Sequence, residues 1–351
     1  MSTDTITIRR WFDRHLHPRM GQTAQVVFPC AVKQRATGAV IMGNLPHPYQ
    51  TSTLEMTNRY RKELISLLPP DSDFELCMTC YLTDSISPEE VAAGYKYGVW
   101  RGVKLYMADQ KSQGGTTGSQ HGVRNLAGRY PVFARMEKDQ VPLLGHFEAV
   151  EDEVDEFDRE VVSMERDLMP IIKTFPGLPI VFEHITDGRV ADFVAEVSHN
   201  IQATVTPHHM MLNRNALFYG GMNPDVWCKP VLKRETHRLK VRKYATSGHP
   251  RFGAGTDSAP HDESAKSQPC GCAAGIFHGQ HAVELYATIF DQDNALENLE
   301  TFLSKNFLAL YGMEASQQML VIERKPRQIC KKVGTHRVFR GGQCLPFTLV
   351  A

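Results

Sequence analysis

The feature that most constrains the fold of this chain is a series of eight apolar segments of strand length. In chain order they are ITIRRW, GAVIMGN, FELCMTCYL, GVKLYM, VPLLGHFE, LPIVFEH, ATVTPHH and RFGAGTD. Several are apolar at nearly every position, which is typical of parallel strands covered on both faces. Helical patterns lie between many of them, so the chain is predicted to form a closed parallel barrel or a doubly wound parallel sheet.

Start signals for helices support this alternation. The segment TSTLEMTNRYRKELISLL opens with hydroxyl residues suited to an N-cap, and Ser87 precedes Pro88 and two acidic residues at the start of another helix. Neither a G-x-G-x-x-G nor a P-loop sequence is present, so a nucleotide-binding sheet loses its main support. We predict one (β/α)₈ (TIM) barrel domain over residues 1–351, with a C-terminal extension from about residue 313.

Composition excludes several classes of partner. The chain has 351 residues, and its 39 basic and 39 acidic residues cancel, which disfavours general binding to nucleic acid or membranes. The segment MSTDTITIRR lacks the apolar region of a secretory signal, and no stretch approaches the roughly 20 apolar residues of a membrane span. Eight scattered cysteines do not suggest a disulfide scaffold. These observations predict a cytoplasmic protein.

Polar residues suited to catalysis follow the apolar body of most predicted strands. In RHLHPRM, His15 and His17 alternate along a strand and therefore share a face. The other residues of this kind are Asn44, Lys104, His146, His184, His208, His209, Asp257 and His261. Because parallel barrels build their active sites at the C-terminal ends of the strands, these residues are predicted to meet at one mouth of the barrel.

The number of candidate metal ligands is too large for a single catalytic zinc, which usually has three protein ligands. The candidates are His15, His17, His146, His184 and Asp257. Two metals need an anionic bridge, and Lys104 could supply one if its amine were converted to a carbamate. Two plainer interpretations remain open at this point, namely that Lys104 is a surface lysine and that His184 is a core histidine.

A set of motifs in order gives the sequence a specific resemblance. The motifs are RHLHPR, GNLPHP, MTCYLTD, VKLY, TTGSQHG, VFEHIT, TPHHMMLNRN, KPVLKRETHR and GTDSAPH. Together they resemble the stand-alone class of dihydroorotases in the amidohydrolase superfamily, from about residue 5 to about residue 312. The resemblance implies a cyclic amide hydrolase of pyrimidine biosynthesis, a (β/α)₈ barrel with two zinc ions, and a cytoplasmic homodimer. The implied reaction is the reversible cyclisation of N-carbamoyl-L-aspartate to L-dihydroorotate and water.

The resemblance also implies roles for individual residues. One zinc would be held by His15, His17 and Asp257, the other by His146 and His184, with carboxylated Lys104 between them. Arg19, Asn44 and His261 would bind the substrate carboxylate, and the backbones of Lys229 and Ala273 would bind the ring. Thr116 and Thr117 match a threonine pair on a loop that closes over substrate. A metal-bridging hydroxide would attack the ring carbonyl, and Asp257 would act as general acid and base.

The sequence departs from the family pattern at a few positions. Met20 replaces an aspartate, Gly43 a proline and Met107 a proline, and the fifth strand reads GHFE where V-H-G-E is usual. The segment between Lys104 and Thr116 is several residues longer than usual. Two alternatives are another cyclic-amide hydrolase, such as a hydantoinase, and a structural homologue with weakened catalysis. The carboxylate-binding set disfavours the first alternative, and the complete ligand set disfavours the second.

Overall fold

The computed structural model describes residues 4–108 and 120–350. After strand β1 (Thr5–Arg9), eight strands form one parallel sheet in chain order. They are β2 (Asp13–Leu16), β3 (Gly38–Ile41), β4 (Glu75–Tyr81), β5 (Gly102–Tyr106), β6 (Leu143–His146), β7 (Ile180–Phe182), β8 (Ile201–Val205) and β9 (Phe252–Ala254). Most of their residues are buried, which accounts for the apolar runs in the sequence.

The sheet closes between its first and last strands. A parallel bridge joins Leu16 to Ser258 beyond the end of β9, and the backbone N–H of Asp257 donates to the carbonyl of His15 at 2.9 Å. This closure confirms the predicted (β/α)₈ barrel and excludes the open doubly wound sheet.

Helices lie between most of the strands. They are α1 (Gly21–Val32), α2 (Leu54–Ser66), α3 (Pro88–Lys96), α4 (Tyr130–Asp139), α5 (Arg159–Ser163), α6 (Met169–Thr174), α7 (Gly188–Glu196), α8 (Pro207–Met211), α9 (Glu235–Thr246), α10 (Glu263–Lys266) and α11 (Ala282–Gln292). The predicted caps are confirmed: Thr53 accepts from the N–H of Met56 at 3.2 Å, and Ser87 accepts from the N–H of Glu90 at 3.1 Å. Among the described residues, no helix is both long and apolar enough to cross a membrane.

The segment ITIRRW is not the first barrel strand, so that prediction was wrong. Its strand, β1, pairs antiparallel with β10 (Met319–Glu323), which in turn pairs with β15 (Thr348–Leu349). The guanidinium of Arg10 anchors the turn between β1 and the barrel by donating to Asp73 and to the carbonyl of Ala36. Two short strands, β1 and β2, lie within the twelve residues 5–16, and the spacing of apolar residues alone does not show where one ends and the next begins.

The C-terminal extension adds further short antiparallel strands beside the barrel. They are β11 (Arg327–Gln328), β12 (Lys332–Val333), β13 (His336–Arg337) and β14 (Cys344–Leu345). The eight cysteines are all free thiols, as expected without a disulfide scaffold. Nothing in the geometry tests the assignment of the whole chain to one domain, which stays a prediction.

The departure in the fifth strand has a packing explanation. A Cβ added at Gly145 would lie 2.0 Å from the ring of Phe147, and that ring also packs against Phe182 with centroids 5.0 Å apart. The aromatic ring of Phe147 therefore fills the space that a valine side chain at position 145 would need. Relative to the usual V-H-G-E, the bulky side chain is at position 147 instead of position 145. His146, the candidate ligand between these two positions, is unchanged.

Candidate active site

Three of the predicted ligands form a compact group at the first and last barrel strands. The Nε2 atoms of His15 and His17 are 3.2 Å apart, and the Oδ1 atom of Asp257 lies 3.3 Å and 3.1 Å from them respectively. All three side chains are buried. Their ligand atoms are close enough to bind one cation together.

The other two histidines lie beside this group. His146 ends β6 and His184 follows β7 by two residues, and the Nδ1 of His146 is 3.0 Å from the Nε2 of His184. The ring of His184 also lies 4.9 Å from the ring of His15, centroid to centroid. Burial lowers the pKa of each of these imidazoles, so they are neutral near pH 7, as metal binding requires.

Two glutamates that the sequence analysis missed hold the outer nitrogens of these rings. The Nδ1 of His15 contacts the carboxylate of Glu183, and the Nε2 of His146 lies 2.8 Å from Glu148 Oε2. Such carboxylate partners fix the ring orientation and leave the opposite nitrogen free for a metal. A signal was present in the sequence, because each glutamate lies within two residues of a ligand candidate.

Lys104 lies in the middle of β5 with a fully buried side chain. Its Nζ atom has no hydrogen-bond partner within the described part of the chain, and the nearest carboxylate oxygen, on Glu183, is 3.6 Å away. Burial lowers the pKa of this amine well below its usual range. A buried amine beside four imidazoles and Asp257 fits a two-metal centre with a lysine-derived bridge, since among the described residues the amine makes no hydrogen bond of its own.

A cavity of about 280 Å³ opens beside the ligand group. The predicted site residues that line it are His17, Arg19, Asn44, His146, His184, Lys229, Asp257, His261 and Ala273. His15 and Lys104 lie fully buried next to this lining. Thr116 and Thr117 fall outside the described residues. The structure therefore gathers these eleven residues, nine in the lining and two beside it, around one site.

The predicted carboxylate-binding residues meet at one side of this cavity. Arg19 donates from Nε to the carbonyl of Pro260 at 2.9 Å, and its Nη2 lies 2.9 Å from the Nε2 of His261. Burial, together with the nearby cation of Arg19, lowers the pKa of His261 to about 3. The Oδ1 of Asn44 is buried and has no hydrogen-bond partner among the described residues. An anion at this side of the cavity would contact the guanidinium of Arg19, which its hydrogen bonds hold in place, and the neutral imidazole of His261.

Ala273 and Lys229, whose backbones were predicted to bind the substrate ring, both line the cavity. The N–H of Ala273 already donates to the carbonyl of Ala265 at 3.1 Å, so its own carbonyl is the group left for a ligand. Lys229 lines the cavity while its ammonium pairs with Glu156 and lies 5.0 Å from the ring centroid of Trp227.

Three site residues have backbone conformations that side chains rarely adopt. Arg19, His184 and Asp257 have φ angles of 66°, 40° and 46°. Such left-handed residues cost about 1–3 kcal/mol each and cluster at functional sites. Here they turn a guanidinium, an imidazole and a carboxylate towards the cavity at the strand ends.

His208 and His209 lie apart from this cavity. They follow β8, the seventh strand of the barrel, as predicted, but they belong to the first turn of α8 and do not line the cavity. Both are buried, and they group with Cys228 rather than with the ligands described above.

Known proteins resemble this chain along almost its whole length. No protein-family model matches it. A dihydroorotase of Sphingopyxis alaskensis is 43% identical over 348 residues, which is 99% of this chain and 100% of the relative. The structure of dihydroorotase from Saccharomyces cerevisiae in complex with 5-fluoroorotic acid has a TM-score of 0.88 at 28% identity, covering 99% and 98% of the two chains.

A more distant neighbour shares only the fold. An L-hydantoinase from Arthrobacter aurescens has a TM-score of 0.82 at 12% identity, covering 99% of this chain and 83% of the neighbour. The identity to the Sphingopyxis relative across the full chain is what decides the family. The chain belongs to the dihydroorotases, which are cyclic amide hydrolases built on a TIM barrel.

Proposed function

We propose that this protein catalyses the reversible cyclisation of N-carbamoyl-L-aspartate to L-dihydroorotate and water in pyrimidine biosynthesis. The observation that carries the proposal is that one cavity is lined both by candidate metal ligands and by Arg19, Asn44 and His261. The first set suits chemistry at an amide carbonyl, and the second suits a carboxylate on the same small molecule.

The donor set supports two zinc ions per chain. His15, His17 and Asp257 would hold one ion, His146 and His184 the other, and the Nζ of Lys104, carboxylated by carbon dioxide, would bridge them. When bound, the ions would polarise the amide carbonyl and lower the pKa of a water nucleophile. Glu148 and Glu183 would keep the imidazoles of His146 and His15 in the orientation that metal binding needs.

Proton transfer and substrate binding would be carried out by side chains of the protein. In ring opening, the carboxylate of Asp257 would accept a proton from the attacking water and return it to the leaving amide nitrogen, and in ring closure the steps reverse. Arg19 would bind the substrate carboxylate through two N–H groups, next to His261. A hydantoin without that carboxylate would leave the half-buried cation of Arg19 without an anionic partner, which favours dihydroorotate over hydantoinase substrates.

The test uses purified protein, an ultraviolet assay on dihydroorotate, a panel of hydantoins and metal analysis. Wild type is expected to turn over dihydroorotate with two metals per chain. Lys104→Ala is expected to lose turnover and to regain part of it with small carboxylic acids, whereas Lys173→Ala, at an exposed lysine, is expected to behave as wild type. Full activity of Lys104→Ala would contradict the bridge, and turnover of hydantoins alone would contradict the substrate.

The family relationship also supports a homodimer in the cytoplasm, with residues 1–351 as one domain. Sedimentation of the purified protein measures its oligomeric state, and a monomer at working concentration would contradict the dimer.

A further inference from the structure

A second group of metal-binding side chains lies outside the catalytic cavity. His208 and His209 come from the first turn of α8, and Cys228 comes from the loop that precedes Lys229. One ligand atom of each lies within 4.8 Å of the others, and all three side chains are buried. None of the three has a part in the catalytic chemistry described above.

The separations within this group suit a tetrahedral ion. The Sγ of Cys228 is 3.5 Å from the Nε2 of His209. Two ligands at zinc–sulfur and zinc–nitrogen distances of about 2.3 and 2.0–2.1 Å, set at a tetrahedral angle, are themselves roughly 3.5 Å apart. The carbonyl of Pro230 lies 3.4 Å from the Sγ and 3.0 Å from the Nε2. It therefore occupies a place from which it could complete four-fold coordination.

His208 is oriented as a metal ligand is. Its Nδ1 lies 3.1 Å from the Nε2 of His278, and the two rings are stacked with an interplanar angle of 16°. The other nitrogen, Nε2, is buried and has no hydrogen-bond partner in residues 4–108 and 120–350. One ring nitrogen held by a neighbour and one left free is the arrangement seen for His15 and His146 in the catalytic site.

We propose that His208, His209 and Cys228 bind a further zinc ion, with the carbonyl of Pro230 as fourth ligand. On binding, the thiol of Cys228 releases its proton to solvent and ligates as thiolate. His209 stays neutral: its proton moves from Nε2 to Nδ1, and the Nδ1–H then donates a hydrogen bond to the hydroxyl oxygen of Thr206, 2.8 Å away. An imidazole and thiolate set is selective for zinc over magnesium or calcium. The ion ties α8 to the loop that carries Lys229 into the substrate cavity.

Cobalt(II) substitution tests this site separately from the catalytic centre. The proposed catalytic ligands include no sulfur, so a near-ultraviolet thiolate-to-cobalt charge-transfer band cannot come from the catalytic centre. Its loss in Cys228→Ser assigns it to Cys228 and not to one of the seven other free thiols. Wild type is expected to show this band and to bind one metal more than its catalytic complement. Cys228→Ser and His208→Gln are each expected to lose the band and that one metal.

The matched control is Cys30→Ser, which alters a buried thiol that also points at a backbone carbonyl, 3.9 Å away. It is expected to retain the band and the additional metal. A folded wild type that has no band and only the catalytic complement would overturn the proposal, and so would an undiminished band in His208→Gln. Because the band is read without substrate, a failure to turn over dihydroorotate would refute the proposed function and leave this test intact.

Discussion

Glu160 provides a quantitative test of how the segment after His184 is held. Its buried carboxylate accepts from the backbone N–H of Thr186 at 3.0 Å and from that of Asp187 at 3.2 Å, and it also contacts the hydroxyl of Thr186. These bonds attach α5 to the chain two residues beyond a proposed metal ligand. A sequence such as DEFDREVV suggests a solvated acid at this position, whereas the structure buries it completely.

Burial raises the pKa of Glu160 from 4.5 to about 7, with the carboxylate of Asp187 also raising it. The folded state therefore prefers the protonated carboxyl. The stability from this group is fully present below about pH 4.5 and is lost as pH rises through about 7. The whole pKa shift corresponds to about 3 kcal/mol in the free energy of unfolding. About 2.5 kcal/mol of this stability is lost between about pH 5 and about pH 8.

Glu160→Gln removes the titration and keeps the size of the side chain. We expect the free energy of unfolding of this variant, relative to wild type, to rise by about 2.5 kcal/mol from about pH 5 to about pH 8. Urea unfolding of both metal-saturated proteins measures the difference, and effects of pH on metal binding cancel in it. Glu165→Gln changes an exposed acid in the same helical segment and should show no such rise. If the difference in the free energy of unfolding between Glu160→Gln and wild type did not change with pH, the reasoning would be refuted.

Three other substitutions test the catalytic site. Asp257→Asn should lower kcat by about 10²–10⁴-fold while most metal stays bound; if turnover persists in the ultraviolet assay, another group carries the proton. Arg19→Ala should lower kcat/KM for dihydroorotate by about 10–100-fold, because a hydrogen bond to a charged group contributes about 1.5–3 kcal/mol; an unchanged kcat/KM would remove Arg19 from carboxylate binding. Glu148→Gln should cost about 10–100-fold in metal affinity or activity; chelator competition measures the affinity, and unaltered affinity and activity together would contradict the role assigned to this glutamate.

The barrel and most candidate ligands could be predicted because their signals are local. A parallel strand covered on both faces must be apolar along its length, and functional side chains of such a barrel follow its strands. His146 and Asp257 are recognisable for this reason without knowing what packs around them. Thr53 and Ser87 cap their helices through bonds to residues only three positions away.

What the tertiary structure decided is which polar groups are buried and what they meet. Arg14 looks like a surface residue in RHLHPR, yet its guanidinium is fully buried and donates to the carbonyl of Asn306, 292 positions later. Directly after Asn306 the chain turns at Phe307, whose φ angle is 42°. Glu183 likewise acquires its role from His15, which lies 168 positions earlier in the chain. The free energy of a buried polar group depends on its partners, and partners distant in sequence leave no periodic signal.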